Sequence, residues 1–111
     1  MMPAQINAGS EPELVGTYMC AGTNPDGKPY QAVVLIRKHD QRFELRWQFE
    51  QSEAVGVGII VDGKLSVSVF GEGIPPGVAV YSVKKGDPLT LKGSWATIVA
   101  PGVYGETLVK M

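Results

Sequence analysis

Reactive and metal-binding side chains are scarce in this chain: one cysteine, Cys20, and one histidine, His39, in 111 residues. A single cysteine excludes an intramolecular disulfide, and neither a Cys-x-x-Cys pair nor a zinc spacing is present. His39 stands between Lys38 and Asp40 at an expected turn, where it reads as a solvated polar residue. Cys20 sits mid-strand beside Met19 and Ala21, where it reads as a small core or wall residue. No nucleophile elbow, metalloprotease helix motif or phosphate-binding loop occurs. Gly71-Glu72-Gly73 is glycine-rich, but no helix follows to present backbone donors. No catalytic residue, metal site or cofactor is therefore expected, and the chain is not expected to be an enzyme.

Charge of one sign is lacking too. Ten basic and eleven acidic residues leave a net charge of −1, and Arg37-Lys38-His39 is only a short cluster. A nucleic-acid partner is not expected without a larger basic footprint. No apolar run is long enough to cross a bilayer as a helix, so membrane insertion is not expected. The opening MMPAQINAGSEPEL has no basic region leading into an apolar core. No signal peptide is expected in the chain, which leaves open both export after removal of a leader and a cytoplasmic location. No apolar stripe at helical spacing appears.

Strand signals are abundant. In RFELRWQF, Arg42 to Phe49, four large apolar residues alternate with four polar ones. Alternation with a period of two gives a half-buried strand, with Phe43, Leu45, Trp47 and Phe49 inward and Arg42, Glu44, Arg46 and Gln48 toward solvent. Were that polar face inward instead, Glu44 and Arg46 would be a buried pair in a ligand cavity. Further strands are predicted over residues 14–22, 30–37, 54–61, 65–70, 78–84, 89–98 and 104–109. Asn24-Pro25-Asp26-Gly27, Asp62-Gly63, Gly86-Asp87-Pro88 and Pro101-Gly102 supply turn chemistry between them. The proline-bearing segment Gly71–Gly77 is expected to be a loop.

About eight short strands with short connections predict an all-β, antiparallel meander barrel, with a two-sheet sandwich as the alternative. Residues 1–13 are read as a flexible leader and 14–111 as a single domain. Gly56, Gly58 and Gly93 fall on strand faces where a bend, a bulge or close approach of another group is expected.

Gly16-Thr17-Tyr18, the meander, and Leu91-x-Gly93-x-Trp95 followed by Gly105-x-Thr107-x-Val109 resemble the small lipocalin- and avidin-type barrels. The chain is also similar to small bacterial secreted domains. It shares their G-x-Y opening, N-P-D-G-x-x-Y turn, tryptophan strand and G-x-G-I, L-x-V and L-x-G-x-W segments, here Gly16 to Tyr18, Asn24 to Tyr30, Trp47, Gly56 to Ile59, Leu65 to Val67 and Leu91 to Trp95. The resemblance implies a calycin-like barrel and export, and it supplies no catalytic residue.

Most aromatic residues are expected to fill the core, with a subset lining a pocket at one open end. The candidate ligand-binding residues are Tyr18, Trp47, Tyr81 and Trp95 in the pocket, with Glu72 and Ile74 on its rim. The expected function is binding of a small apolar or amphipathic ligand at one barrel end. The alternative is a structural or adhesive module with a filled core that engages a protein partner by a face or strand edge. The oligomeric state is open, a dimer included.

Overall fold

The computed structural model describes residues 13–111. Apart from Glu13, the expected leader lies outside the described residues. Eight strands follow in order: β1 (Gly16–Thr23), β2 (Pro29–His39), β3 (Arg42–Gln48), β4 (Glu53–Val61), β5 (Lys64–Gly71), β6 (Ile74–Lys84), β7 (Thr90–Thr97) and β8 (Tyr104–Lys110). Each pairs antiparallel with the next, and β8 returns to β1 through a ladder from Tyr18↔Lys110 to Gly22↔Glu106. That last ladder closes the sheet into a barrel and excludes the sandwich. Closure leaves no unpaired strand edge.

Local chemistry explains the connections. At the β4–β5 hairpin Asp62 and Gly63 both have left-handed backbone angles, φ 52 and 77, which match the twist of a two-residue hairpin loop. The segment Gly71–Gly77 corrects the sequence expectation, because only Glu72 and Gly73 form the turn and β6 already begins at Ile74. The prolines are accommodated where the register shifts, between the pairs Val69↔Gly77 and Gly71↔Ile74. Proline loses its donor but keeps its acceptor. The Pro76 carbonyl accepts from Thr97 Oγ1 at 3.0 Å and from the Ile98 amide at 3.3 Å.

The β3 alternation orients the barrel as its pattern requires. Phe43, Leu45 and Trp47 are buried inside, while Arg42, Arg46 and Gln48 are exposed and Glu44 is half-buried on the outer surface. On β4 the small residues face inward: Ala54, Gly56 and Gly58 are buried, and Val57, Ile59 and Val61 are exposed. With Phe70, Val78 and Val80 they make an apolar outer face over β4–β6.

The interior divides into two halves. Toward the end where Leu14 and Met111 lie, Tyr18, Ile36, Leu45, Leu65, Leu91 and Leu108 have no solvent exposure. Leu14 and Leu89 are also buried there, on the segments preceding β1 and β7. The Tyr18 hydroxyl donates to the Leu14 carbonyl at 2.7 Å, and the Lys110 amide donates to Leu89 O at 2.9 Å. These bonds draw both segments across the barrel bottom and close it. At the opposite end the inner face narrows to alanine, with Ala32, Ala54 and Ala79 buried.

Candidate functional site

The alanines leave space that larger side chains fill at the other end. A cavity of about 360 Å³ opens to solvent there, lined mainly by apolar and aromatic residues. Ligand sites typically span roughly 300–1,000 Å³, so this one suits a small molecule. Tyr30, Trp47, Phe49, Tyr81 and Trp95 contribute rings to its wall, and Glu106 contributes a carboxylate. Ile74 lines it from the start of β6.

Glu106 is the buried charged residue among those described, 6% exposed on the inner face of β8. The Tyr30 hydroxyl donates to its Oε1 at 2.7 Å and the Trp47 indole N–H to its Oε2 at 3.4 Å. The Tyr81 hydroxyl donates to Oε2 as well. Three donors from three strands thus converge on one carboxylate. Such bonds to a charged acceptor are roughly twice as strong as neutral ones. The charge acts on its surroundings in turn. Burial first, and then the charge of Glu106, push the Tyr30, Tyr81 and Cys20 groups above their ordinary values. Both effects favour the neutral thiol at Cys20 over the thiolate.

Glycine positions the three donors. On neighbouring strands the Tyr30 ring lies across Gly22, its register partner, and the Tyr81 ring across Gly93, its register partner. A Cβ at either glycine would collide with the ring. At Gly56 a Cβ would come within 2.9 Å of the Trp47 ring and 2.7 Å of Val67. The inner-facing glycines thus provide the close approach of another group. The register runs unbroken through Gly56 and Gly93.

Other rings extend the wall toward the mouth. Tyr30 meets Phe49 edge-on at 5.9 Å and Trp95 edge-on at 6.3 Å, and Trp95 packs against Tyr104 at 5.0 Å. The Trp95 indole nitrogen is buried and has no hydrogen-bond partner among the described residues. A buried, unpaired donor is costly, and an acceptor on a bound molecule would satisfy it.

Of the six residues singled out from sequence, Trp47, Tyr81, Trp95 and Ile74 border this cavity. Tyr18 lies in the packed half and bonds Leu14, and Glu72 borders a separate surface depression with Glu50 and Glu53. Sequence reasoning missed Glu106 and Tyr30. Both carried a period-of-two signal: Glu106 alternates in register with Tyr104 and Leu108, and Tyr30 with Ala32, Val34 and Ile36. A carboxylate on an apolar strand face is the informative exception.

Among the described residues no three His, Cys, Asp or Glu side chains cluster to hold a metal, and no helix is long and apolar enough to cross a membrane. The fold and site define an eight-stranded closed antiparallel meander barrel with one packed end and one hollow end. No protein-family model matches the chain, and no curated protein matches it.

Proposed function

We propose that this protein is a non-enzymatic binding protein of lipocalin- or avidin-like design, holding a small apolar or amphipathic ligand in the barrel mouth. The observation that carries the reading is the cavity itself, with its aromatic wall and one hydrogen-bonded carboxylate. Concave, mostly apolar sites with a few fixed polar groups are where proteins hold small molecules. Ligand entry requires no strand to separate, because the cavity already meets solvent. The exposed Ile98, Val99 and Val103 on the β7–β8 connection give the same end an apolar lip.

Native mass spectrometry of the purified protein asks whether a small molecule travels with it. Titration with the neutral fluorophore N-phenylnaphthylamine then measures uptake directly. Enhancement with the unaltered protein and its loss in Ala79→Leu supports the mouth as the site. Equal enhancement in both proteins places binding elsewhere, and no enhancement with no co-purified molecule sinks the reading.

The second reading, a module that engages another protein, draws on the apolar outer face of β4–β6. Contiguous exposed apolar area of that kind is common at interaction sites. Strand-edge pairing is not open to it, since the barrel is closed. Analytical ultracentrifugation distinguishes a monomer from an assembly that covers this face.

A further inference from the structure

We propose that the cavity takes an organic cation, a primary or secondary ammonium on a flat apolar body, with Glu106 as its counter-ion. The proposal rests on the cavity being a ligand site and adds the ligand's chemical class.

The charge balance of the interior points there. Glu106 is buried, and its three hydrogen-bond partners, Tyr30, Tyr81 and Trp47, are neutral. Among the described residues no lysine, arginine or histidine lines the cavity. The ion pairs among the described residues involve Glu44 and leave Glu106 without a basic partner. Removing a carboxylate from water without a counter-charge is costly even when it is hydrogen-bonded. Neutral donors spread that charge without cancelling it. An ammonium supplies both the opposite charge and further N–H donors.

Geometry leaves room for that contact. Oε2 accepts from Tyr81 and Trp47, whereas Oε1 accepts from Tyr30. A carboxylate oxygen has two lone pairs, so Oε1 retains one for a ligand N–H. The surrounding rings, Tyr30, Trp47, Phe49, Tyr81 and Trp95, suit a cation through their quadrupoles and a flat hydrocarbon through burial. The unpaired Trp95 N–H serves an ether or carbonyl oxygen on the ligand body. A carboxylate or phosphate headgroup would bring a second negative charge beside Glu106 with no cation to offset either. Selection against anions is therefore built into the same residue.

Three probes with the same ring system test the inference by isothermal titration at neutral pH: naphthylmethylamine, naphthalenemethanol and naphthoate. The amine should bind about tenfold or more tighter than the alcohol, a gap of about 1.4 kcal/mol, and naphthoate should bind weakest. Glu106→Gln keeps the size and an acceptor but loses the charge. It should bring amine and alcohol to comparable affinity. Should that variant not fold, the series on the unaltered protein decides alone. An alcohol that binds as tightly as the amine overturns the cation while leaving the ligand site standing. An amine preference that survives Glu106→Gln overturns the assigned counter-ion. Failure of all three probes to bind overturns the cation and the ligand site together.

Discussion

The two ends of this barrel are built from the same strands but use their inward positions in opposite ways. Near Leu14 and Met111 the inner residues are Ile36, Leu45, Leu65, Leu91 and Leu108, all fully buried, with Leu14 and Leu89 closing the bottom. At the other end Ala54 and Ala79 line an open cavity, and rings stand around it. One sheet therefore carries a filled core and an open cavity at opposite ends of its own axis. Aliphatic side chains fill the lower half, while the upper half keeps open space between rings.

The largest predicted effect breaks that division if the division is wrong. Leu65→Ala should destabilise the protein by about 2–5 kcal/mol, the range for truncating a buried leucine. Ala79→Leu adds the same atoms at the hollow end, opposite Val67 and Trp95 in the ladders. Its side chain enters existing space, so it should cost less than the ~1–3 kcal/mol typical of overpacking. Urea denaturation of both variants checks the pair. Equal and large losses would mean that the two ends are packed alike.

Gly93→Ala carries the comparison to a single ring. The added methyl meets Tyr81 and the Val80 carbonyl, so the ring must shift and its hydroxyl must leave Glu106. A loss of about 1–3 kcal/mol is expected from the strain. Gly105→Ala, on the outer side of the adjacent strand, has nothing within 4 Å of the new methyl and should be close to neutral. Denaturation midpoints of the two variants should therefore separate. If they coincide, the glycine does not hold the ring.

Much of this architecture was legible in the chain, and the parts that were not share one cause. RFELRWQF, the Asp62-Gly63 turn and the evenly spaced strands lead to a meander barrel, because local alternation and turn chemistry agree with the global fold. Gly71–Gly77 departs from the loop its prolines suggest, because a proline lacks a donor but the Pro76 carbonyl still accepts from Thr97 on β7. Trp47, Tyr81, Trp95 and Ile74 were selected for side-chain type, and whether a large ring seals a core or borders a cavity depends on strands far away in sequence. Tyr18 shows the other outcome of the same choice. Glu106 is inconspicuous in the sequence because the recognisable pattern there, Gly105, Thr107 and Val109, is the opposite face of its strand. Glu44 and Arg46 lie on the outer face as expected, and the buried charge is on β8, where alternation with Tyr104 and Leu108 marks it.

Alkaline titration sharpens the comparison with a smaller effect. Burial in the packed half, with a contribution from the charge of Glu13, raises Tyr18 from 10.0 to about 12. The unfolded chain ionises this phenol first, so the stability gained by keeping it neutral is complete below pH 10. It declines as the pH rises from 10 toward 12. Tyr81 is raised too, by burial and then by Glu106, and adds to the loss. Unfolding midpoints should fall across this window, and Tyr18→Phe should flatten part of the decline. A decline unchanged by Tyr18→Phe would assign it wholly to other groups.

The smallest effect is expected where the same residue type meets water. Glu44, on the outer face of β3, accepts from Arg46 Nε at 2.7 Å and lies 3.3 Å from His39 Nε2. The Arg46 hydrogen bond, assisted by the nearby positive charges, holds its carboxyl below the ordinary value. A lowered carboxyl stabilises above its unfolded value of 4.5 and loses that contribution as the pH falls through the folded one. Solvent and salt screen so exposed a pair, however, and such bridges add little. Glu44→Gln should leave the denaturation midpoint at neutral pH within error and leave binding of naphthylmethylamine untouched. Glu106→Gln should change that binding strongly, although both substitutions remove one negative charge from one strand. A matching loss in Glu44→Gln would mean that the amine senses the net charge of the protein and not the carboxylate inside the barrel.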